Sequence, residues 1–180
     1  MVAHGYAAIG MDHFAKNEDE LAVAANNGTL HRNFMGYSTH PAEDMVSFGM
    51  SAISEMDGAF AHNEKNLKGW ETMIDADQLP VHRGMVRSVD DDQRRRIILD
   101  LMCHFRLAFN QHGGADDFRT RYASELQSLD PMIADGLVSI SSDEIAVTET
   151  GRLFVRNICM AFDAYLDHDT EKGPRYSRTV

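Results

Sequence analysis

The chain has 180 residues, 43% hydrophobic and 25% charged, with 28 acidic against 17 basic side chains and a formal net charge of -11. A chain of this length and composition suits one domain or one and a half with a core that needs no staple, and it excludes a disordered protein. The acidic balance opposes a phosphate backbone, so nucleic acid is not an expected partner, and the apolar runs, such as residues 96–99, are too short to span a membrane.

Residues 6–11 read as a buried strand, with Asp12-His13-Phe14 as its end and loop. Almost nothing precedes that strand, so a chain continuing a larger fold is the expectation. Residues 18–27 form a short helix: acidic residues open it, Leu21, Ala22 and Ala25 make its stripe, and Gly28 stops it. Two strand-like stretches follow, 30–39 and 48–54, separated by a turn or brief helix at 40–44. Gly36, Gly49, Ser51, Ala52 and Ser54 leave room for a second backbone or a ligand. This alternation suits the closing strands of a larger α/β barrel but is too short to close one alone.

A helix is expected over 64–74 and an extended connector over 79–85. Ser88 caps a long helix with Asp90, Asp91 and Asp92 in its first turn; Ile97, Ile98, Leu101, Met102, Phe105 and Phe109 repeat at helical spacing, and the stop falls at His112-Gly113-Gly114. Phe118, Tyr122 and Leu126 mark another helix, and residues 131–134 a shorter one closed by Gly136. Residues 137–140 and 145–148 make a hairpin. A final helix carries Phe154, Ile158, Phe162 and Tyr165. Helices, then a hairpin wing, then a helix describe a winged-helix-like domain, followed by a flexible tail over 168–180. The fold class is therefore α+β. Its second helix offers Asp130 and Asp135 where a DNA reader would place basic side chains, so a lid or interaction module is expected.

The nine histidines form no metal signature, with no His-Glu-x-x-His among them, and scattered histidines are usually structural. Asp12-His13 and His31-Arg32 stand apart because they adjoin strand ends, where α/β barrels build their active sites. Arg94, Arg95 and Arg96 read as a solvated helix face offsetting Asp90 to Asp92. Arg32 and Arg83 sit in strand-like or connector segments and could grip carboxylates through paired hydrogen bonds. Cys103 and Cys159 read as buried, reduced thiols. No Cys-x-x-x-Cys-x-x-Cys occurs, so the chain has no thiolate set for an iron–sulfur cluster and no metal site of its own is expected. No leader is legible at the N-terminus, and a cytoplasmic location is expected.

Several stretches resemble one family, the oxygen-independent coproporphyrinogen III dehydrogenases of haem synthesis. Ile9-Gly10-Met11-Asp12-His13-Phe14-Ala15 with Asp19-Glu20-Leu21-Ala22 is similar to a segment late in that family's barrel. Leu30-His31-Arg32-Asn33-Phe34-Met35-Gly36-Tyr37 is the most diagnostic run. Ser51-Ala52-Ile53-Ser54, then Ala61, Asn63 and Lys65, then Gly151-Arg152-Leu153 and Arg156-Asn157-Ile158-Cys159-Met160 continue it to Tyr176-Ser177-Arg178-Thr179-Val180. Met35 and His62 stand where many relatives carry Gln, and Ser47 replaces a common Gly.

The resemblance implies a radical S-adenosylmethionine enzyme. A [4Fe–4S] cluster on three cysteines cleaves S-adenosylmethionine, of which the family binds two molecules. The radical takes a hydrogen from a propionate of coproporphyrinogen III, and loss of carbon dioxide and one electron leaves a vinyl group. Two rounds give protoporphyrinogen IX. The residues matching Phe34 and Met35 lie near the reacting centre, the one matching Ile53 lines the S-adenosylmethionine site, and Arg32 and Arg83 are the substrate-carboxylate candidates.

By this resemblance residues 1–58 are the end of a TIM-like barrel, 59–88 a connector with one helix, and 89–167 the winged-helix-like C-terminal domain. The expected partners are the substrate and an N-terminal half bearing the cluster, with the chain a monomer and inactive alone. The rival readings are a paralogue that binds a porphyrin, haem or partner protein without catalysis, and a transcription-type winged helix.

Overall fold

The computed structural model describes residues 2–41 and 44–166. The tail expected over 168–180, the family-like run from Tyr176 and part of the expected 40–44 turn lie outside the described residues. The chain divides into two units, Met1–Thr39 with Gln93–Val180 and His40–Asp92. That division interleaves the chain and follows neither residue 58 nor residue 88.

In the first unit, the opening strand is half of a hairpin. β1 (Tyr6–Gly10) pairs antiparallel with β2 (His13–Lys16), so Asp12 and Met11 form the turn and His13 already belongs to a strand. Helix α1 (Glu20–Asn27) is the one expected: the Asp19 side chain accepts the Leu21 N–H at 2.9 Å, and Gly28 closes the helix at φ 67°. The stretch expected as one strand over 30–39 is a second hairpin, β3 (His31–Asn33) with β4 (Gly36–Ser38), turning at Phe34 and Met35.

In the second unit, residues 48–52 form an irregular loop, because Gly49 at φ 103° and Ser51 at φ 57° hold left-handed conformations that no strand accommodates. Only β5 (Ile53–Met56) is strand, and it pairs with β6 (Ala59–Asn63). Asn66 caps helix α2 (Leu67–Asp75), and the expected connector is a full strand, β7 (Val81–Val86), completing an antiparallel sheet in the order β5-β6-β7. Barrel strands would pair in parallel; the pairs among the described residues are all antiparallel.

Helix α3 (Val89–His104) ends before the expected stop. Phe105 turns to φ 56°, which breaks the helix and releases β8 (Arg106–Ala108). The short helices α4 (Ala115–Arg121), α5 (Ala123–Ser128) and α6 (Asp130–Ala134) follow, and Gly136 at φ 69° closes the last. The expected hairpin is present as β9 (Val138–Ile140) and β10 (Glu144–Val147), and β8 joins it in a three-stranded sheet ordered β8-β10-β9. The final helix is shorter than its stripe suggests: a 3-10 turn over Gly151–Phe154 leads into α7 (Val155–Met160).

These elements enclose two apolar clusters. Ile97, Leu101, Leu107, Phe109, Phe118, Leu129, Ile145, Ile158 and Phe162 form the larger, and Ile9, Ala22, Leu30, Tyr37 and Cys103 the smaller. Phe118 is the aromatic centre of the larger cluster, stacked on Phe109 at 4.7 Å and tilted against Tyr122 at 4.8 Å between ring centroids. Arg94 is no solvated side chain. Its guanidinium donates to Glu125 at 2.8 Å and lies over Tyr122. No helix is long and apolar enough to cross a membrane among the described residues.

Candidate functional site

The candidate residues fall into both units. In the first, the two-residue turn of the β3–β4 hairpin sets a register in which Arg32 faces Tyr37 and Asn33 faces Gly36. The Arg32 guanidinium lies over the Tyr37 ring, 4.7 Å from its centroid, a cation–π arrangement strengthened by desolvation. Tyr37 is buried and its hydroxyl donates to the Met102 carbonyl at 2.9 Å. Burial pushes that hydroxyl up to about 12, with the Arg32 charge pulling the other way. The His13 ring meets Tyr37 edge-on at 5.1 Å.

Two glycines make this packing possible. A Cβ at Gly10 would run into the Tyr37 hydroxyl, and one at Gly36 would stand 3.0 Å from His13 Nε2 on a backbone at φ 127°. Arg32 Nη1 is sealed from solvent without a hydrogen-bond partner, and no carboxylate pairs with Arg32 among the described residues. A buried guanidinium nitrogen left this way is costly. At the turn itself, Phe34 is 53% and Met35 82% exposed, with the Met35 N–H bound to the Asn33 side chain at 2.8 Å. The turn therefore presents apolar surface outward.

In the second unit, Ile53 faces His62 and His62 faces Arg83, so the three form one row across the sheet. Residues directly opposite in antiparallel strands share a face, which sets Ile53 and Arg83 on the same side. Arg83 Nε donates to His62 Nδ1 at 3.3 Å. Desolvation, with the charges of Lys65, Arg83 and His82, holds His62 below the ordinary imidazole value. The loop entering Ile53 is tied down: the Asn63 side chain donates to the Gly49 carbonyl at 2.8 Å, and the Ser51 N–H to the Glu64 carbonyl at 2.9 Å. His82 stands 3.3 Å from Glu64, whose carboxyl is lowered mainly by the Asn66 backbone N–H.

Tyr37 and His62 were not singled out as partners from the sequence. A two-residue turn at Phe34-Met35 would have paired Arg32 with Tyr37 by counting alone. His62 and Arg83 are 21 positions apart, and no local pattern links them. Neither Asp12-His13 nor His31-Arg32 lies at the end of a parallel strand: Asp12 is in a hairpin turn, 3.0 Å from His13 Nδ1, and His31 opens β3.

A cluster of iron and sulfide does not fit this chain. It requires three or more thiolates, and Cys103 and Cys159 are the two cysteines, both buried and reduced. Burial pushes each thiol up to about 12. No group of three metal-binding side chains exists among the described residues.

The chain matches no family model. It is similar to the oxygen-independent coproporphyrinogen III oxidase of Synechocystis sp., at 41% identity over 100% of this chain and 40% of that protein. The proteins of the same description from Pseudomonas aeruginosa and Salmonella typhimurium are 42% and 48% identical, over 100% and 98% of this chain and 39% of each. The chain thus spans about two fifths of the length of these relatives. A solved structure of coproporphyrinogen III oxidase from Escherichia coli, described as a radical SAM enzyme, superposes with a TM-score of 0.84 at 43% identity, covering 92% of this chain and 38% of that one.

Proposed function

The chain is homologous along its whole length to a part of the oxygen-independent coproporphyrinogen III oxidases, and from that premise we propose that it forms the C-terminal part of such an enzyme. The end-to-end match at 41–48% identity carries this reading. The whole enzyme would convert two propionates of coproporphyrinogen III to vinyl groups, giving protoporphyrinogen IX in the cytoplasm. In it residues 1–58 would form the closing edge of a barrel and residues 89–167 a winged-helix-like domain. The two buried thiols leave cluster binding to the remaining three fifths, and by itself the chain would not turn over.

Within this reading, each unit offers one guanidinium to a carboxylate. Arg32 would take one on its guanidinium, beside the exposed apolar side chains Phe34 and Met35 near the reacting carbon. Arg83 would take one beside Ile53, whose half-buried side chain forms an apolar wall for S-adenosylmethionine. The second unit has many exposed apolar side chains, among them Val46, Phe48, Leu79 and Val86. Surface of that kind in a segment of a longer enzyme supports contact with its remainder.

The test is a chimera: the Escherichia coli oxidase with its matching segment replaced by this chain. It should consume coproporphyrinogen III, and Arg32→Ala in that chimera should raise KM about tenfold or more, as loss of a charged hydrogen bond would. A chimera that folds, carries its cluster and leaves the substrate untouched would refute the reading. An unchanged KM in the Arg32→Ala form would remove Arg32 from the site.

A further inference from the structure

An arginine side chain is always a donor, and its Nε–H can hydrogen-bond only to a lone pair. The bond from Arg83 Nε to His62 Nδ1 therefore requires His62 to be neutral at that nitrogen, with its proton on Nε2. The surroundings favour that state. Lys65 follows β6, Arg83 and His82 come from β7, and all three are positive or potentially so; each lowers the affinity of His62 for a proton. The nearby carboxylate, Glu64, is taken up by His82 and by the backbone N–H groups of Lys65 and Asn66. From β5, the residue opposite His62 is Ile53, which carries no charge.

The geometry points to His62 as the positioning residue of Arg83. With Nε held by the imidazole, the guanidinium plane is restrained and its outer edge, Nη1 and Nη2, meets no partner among the described residues. That edge is the one that receives a carboxylate through two parallel hydrogen bonds. The ligand class is an aliphatic carboxylate such as a propionate of the substrate, its acid group on Arg83, in the row that also holds Ile53. Protonating Nδ1 converts an acceptor into a donor facing a cation, so the clamp opens as the pH falls below the ordinary imidazole range.

This inference rests on the reading of Arg83 as a carboxylate contact, and the two are tested separately. The probe is coproporphyrin III, a stable tetracarboxylate, titrated by fluorescence into the full chain and its variants. Arg83→Ala should weaken binding. His62→Phe, which keeps a ring and removes the acceptor, should weaken it about fivefold, the effect of one lost hydrogen bond. His62→Gln, which presents an amide oxygen in place of Nδ1, should restore wild-type affinity at neutral pH. Between about pH 5.5 and 7.5 the ratio of wild-type to His62→Gln affinity should fall toward the acid end, a comparison that cancels the ligand's own titration.

Nitrogen-15 spectra of the Arg83 Nε–H supply a readout that needs no ligand. At each pH its exchange with water is compared with that of His62→Phe: the wild type should exchange more slowly at neutral pH, and that difference should shrink as the pH falls. If Arg83→Ala binds the porphyrin as tightly as wild type, the carboxylate reading fails, and the ligand part of the inference with it. If Arg83→Ala weakens binding while His62→Phe does not, or if the Nε–H signal ignores both pH and His62, the positioning role alone is overturned.

Discussion

The two units are held together by different physics. In the unit of residues 1–39 and 93–180, Phe109, Phe118, Phe162 and many aliphatic side chains are buried almost completely. In the unit of residues 40–92, the buried positions among the described residues are Glu55, Asn63 and Pro80, and large apolar side chains stand outside. The first behaves as an ordinary domain, whose stability comes from removing apolar area from water. The second relies on its backbone ladders and on buried polar groups. Glu55 pairs with Arg87 at 2.9 Å, Arg87 pairs with Asp92 at 2.6 Å, and the same guanidinium lies 4.9 Å from the Phe60 ring. The lesson is that a segment can be well shaped yet hold no apolar core of its own.

If that contrast is right, truncating the aromatic centre of the first unit should cost most. Phe118→Ala is expected to lose about 3–5 kcal/mol, read from the urea midpoint, whereas Leu67→Ala on the exposed face of α2 should lose less than about 1 kcal/mol. Equal losses would dissolve the distinction. Next comes Arg87→Met, which strands the buried Glu55 carboxylate and should cost about 3 kcal/mol. Its hydrogen exchange should rise within residues 40–92 and stay unchanged around Phe118; a uniform rise would mean that the units open together.

Gly151→Ala probes backbone contact in the first unit. A Cβ there would run into the Leu137 carbonyl and crowd Val147, so a loss of about 1–3 kcal/mol is expected from thermal unfolding.

The smallest effect is confined to alkaline pH and to the first unit. Burial raises Tyr37, Cys103 and Cys159 to about 12 from ordinary values of 10.0, 9.0 and 9.0. Above pH 9 the unfolded chain releases these protons first, so the stabilisation is complete below pH 9 and declines as pH rises toward 12. Tyr37→Phe should lessen that decline, and iodoacetamide should leave both native thiols unmodified near neutral pH. Rapid labelling of the folded chain would contradict the burial.

Legibility followed the same division. Helix α1 was readable with its Asp19 cap and Gly28 stop, and so was the β9–β10 hairpin, because Val138, Ile145 and Val147 alternate into a core. β6 and β7 were not. Alternation is visible only when one face of a strand is buried, and β6 reads half-buried at four successive positions while β7 is exposed at nearly all of its positions. The stripe from Ile97 to Phe109 suggested one long helix because Phe105, Leu107 and Phe109 are all buried. Period-2 burial in β8 continues the helical stripe without a break in composition, and the left-handed Phe105 that separates them leaves no mark on the residue types.

Local chemistry along the chain was enough for the α+β class, the capped and glycine-stopped helices, the buried thiols and the family likeness of the Arg32–Tyr37 run. Those features depend on neighbours within a few residues, or on the order of motifs. The interleaving of the units, the seat of Arg32 over Tyr37 with an unsatisfied nitrogen, and the Ile53–His62–Arg83 row came from the fold. Each depends on strand register and on contacts between distant positions, and a one-residue slip in either hairpin would have turned the same side chains to the opposite face.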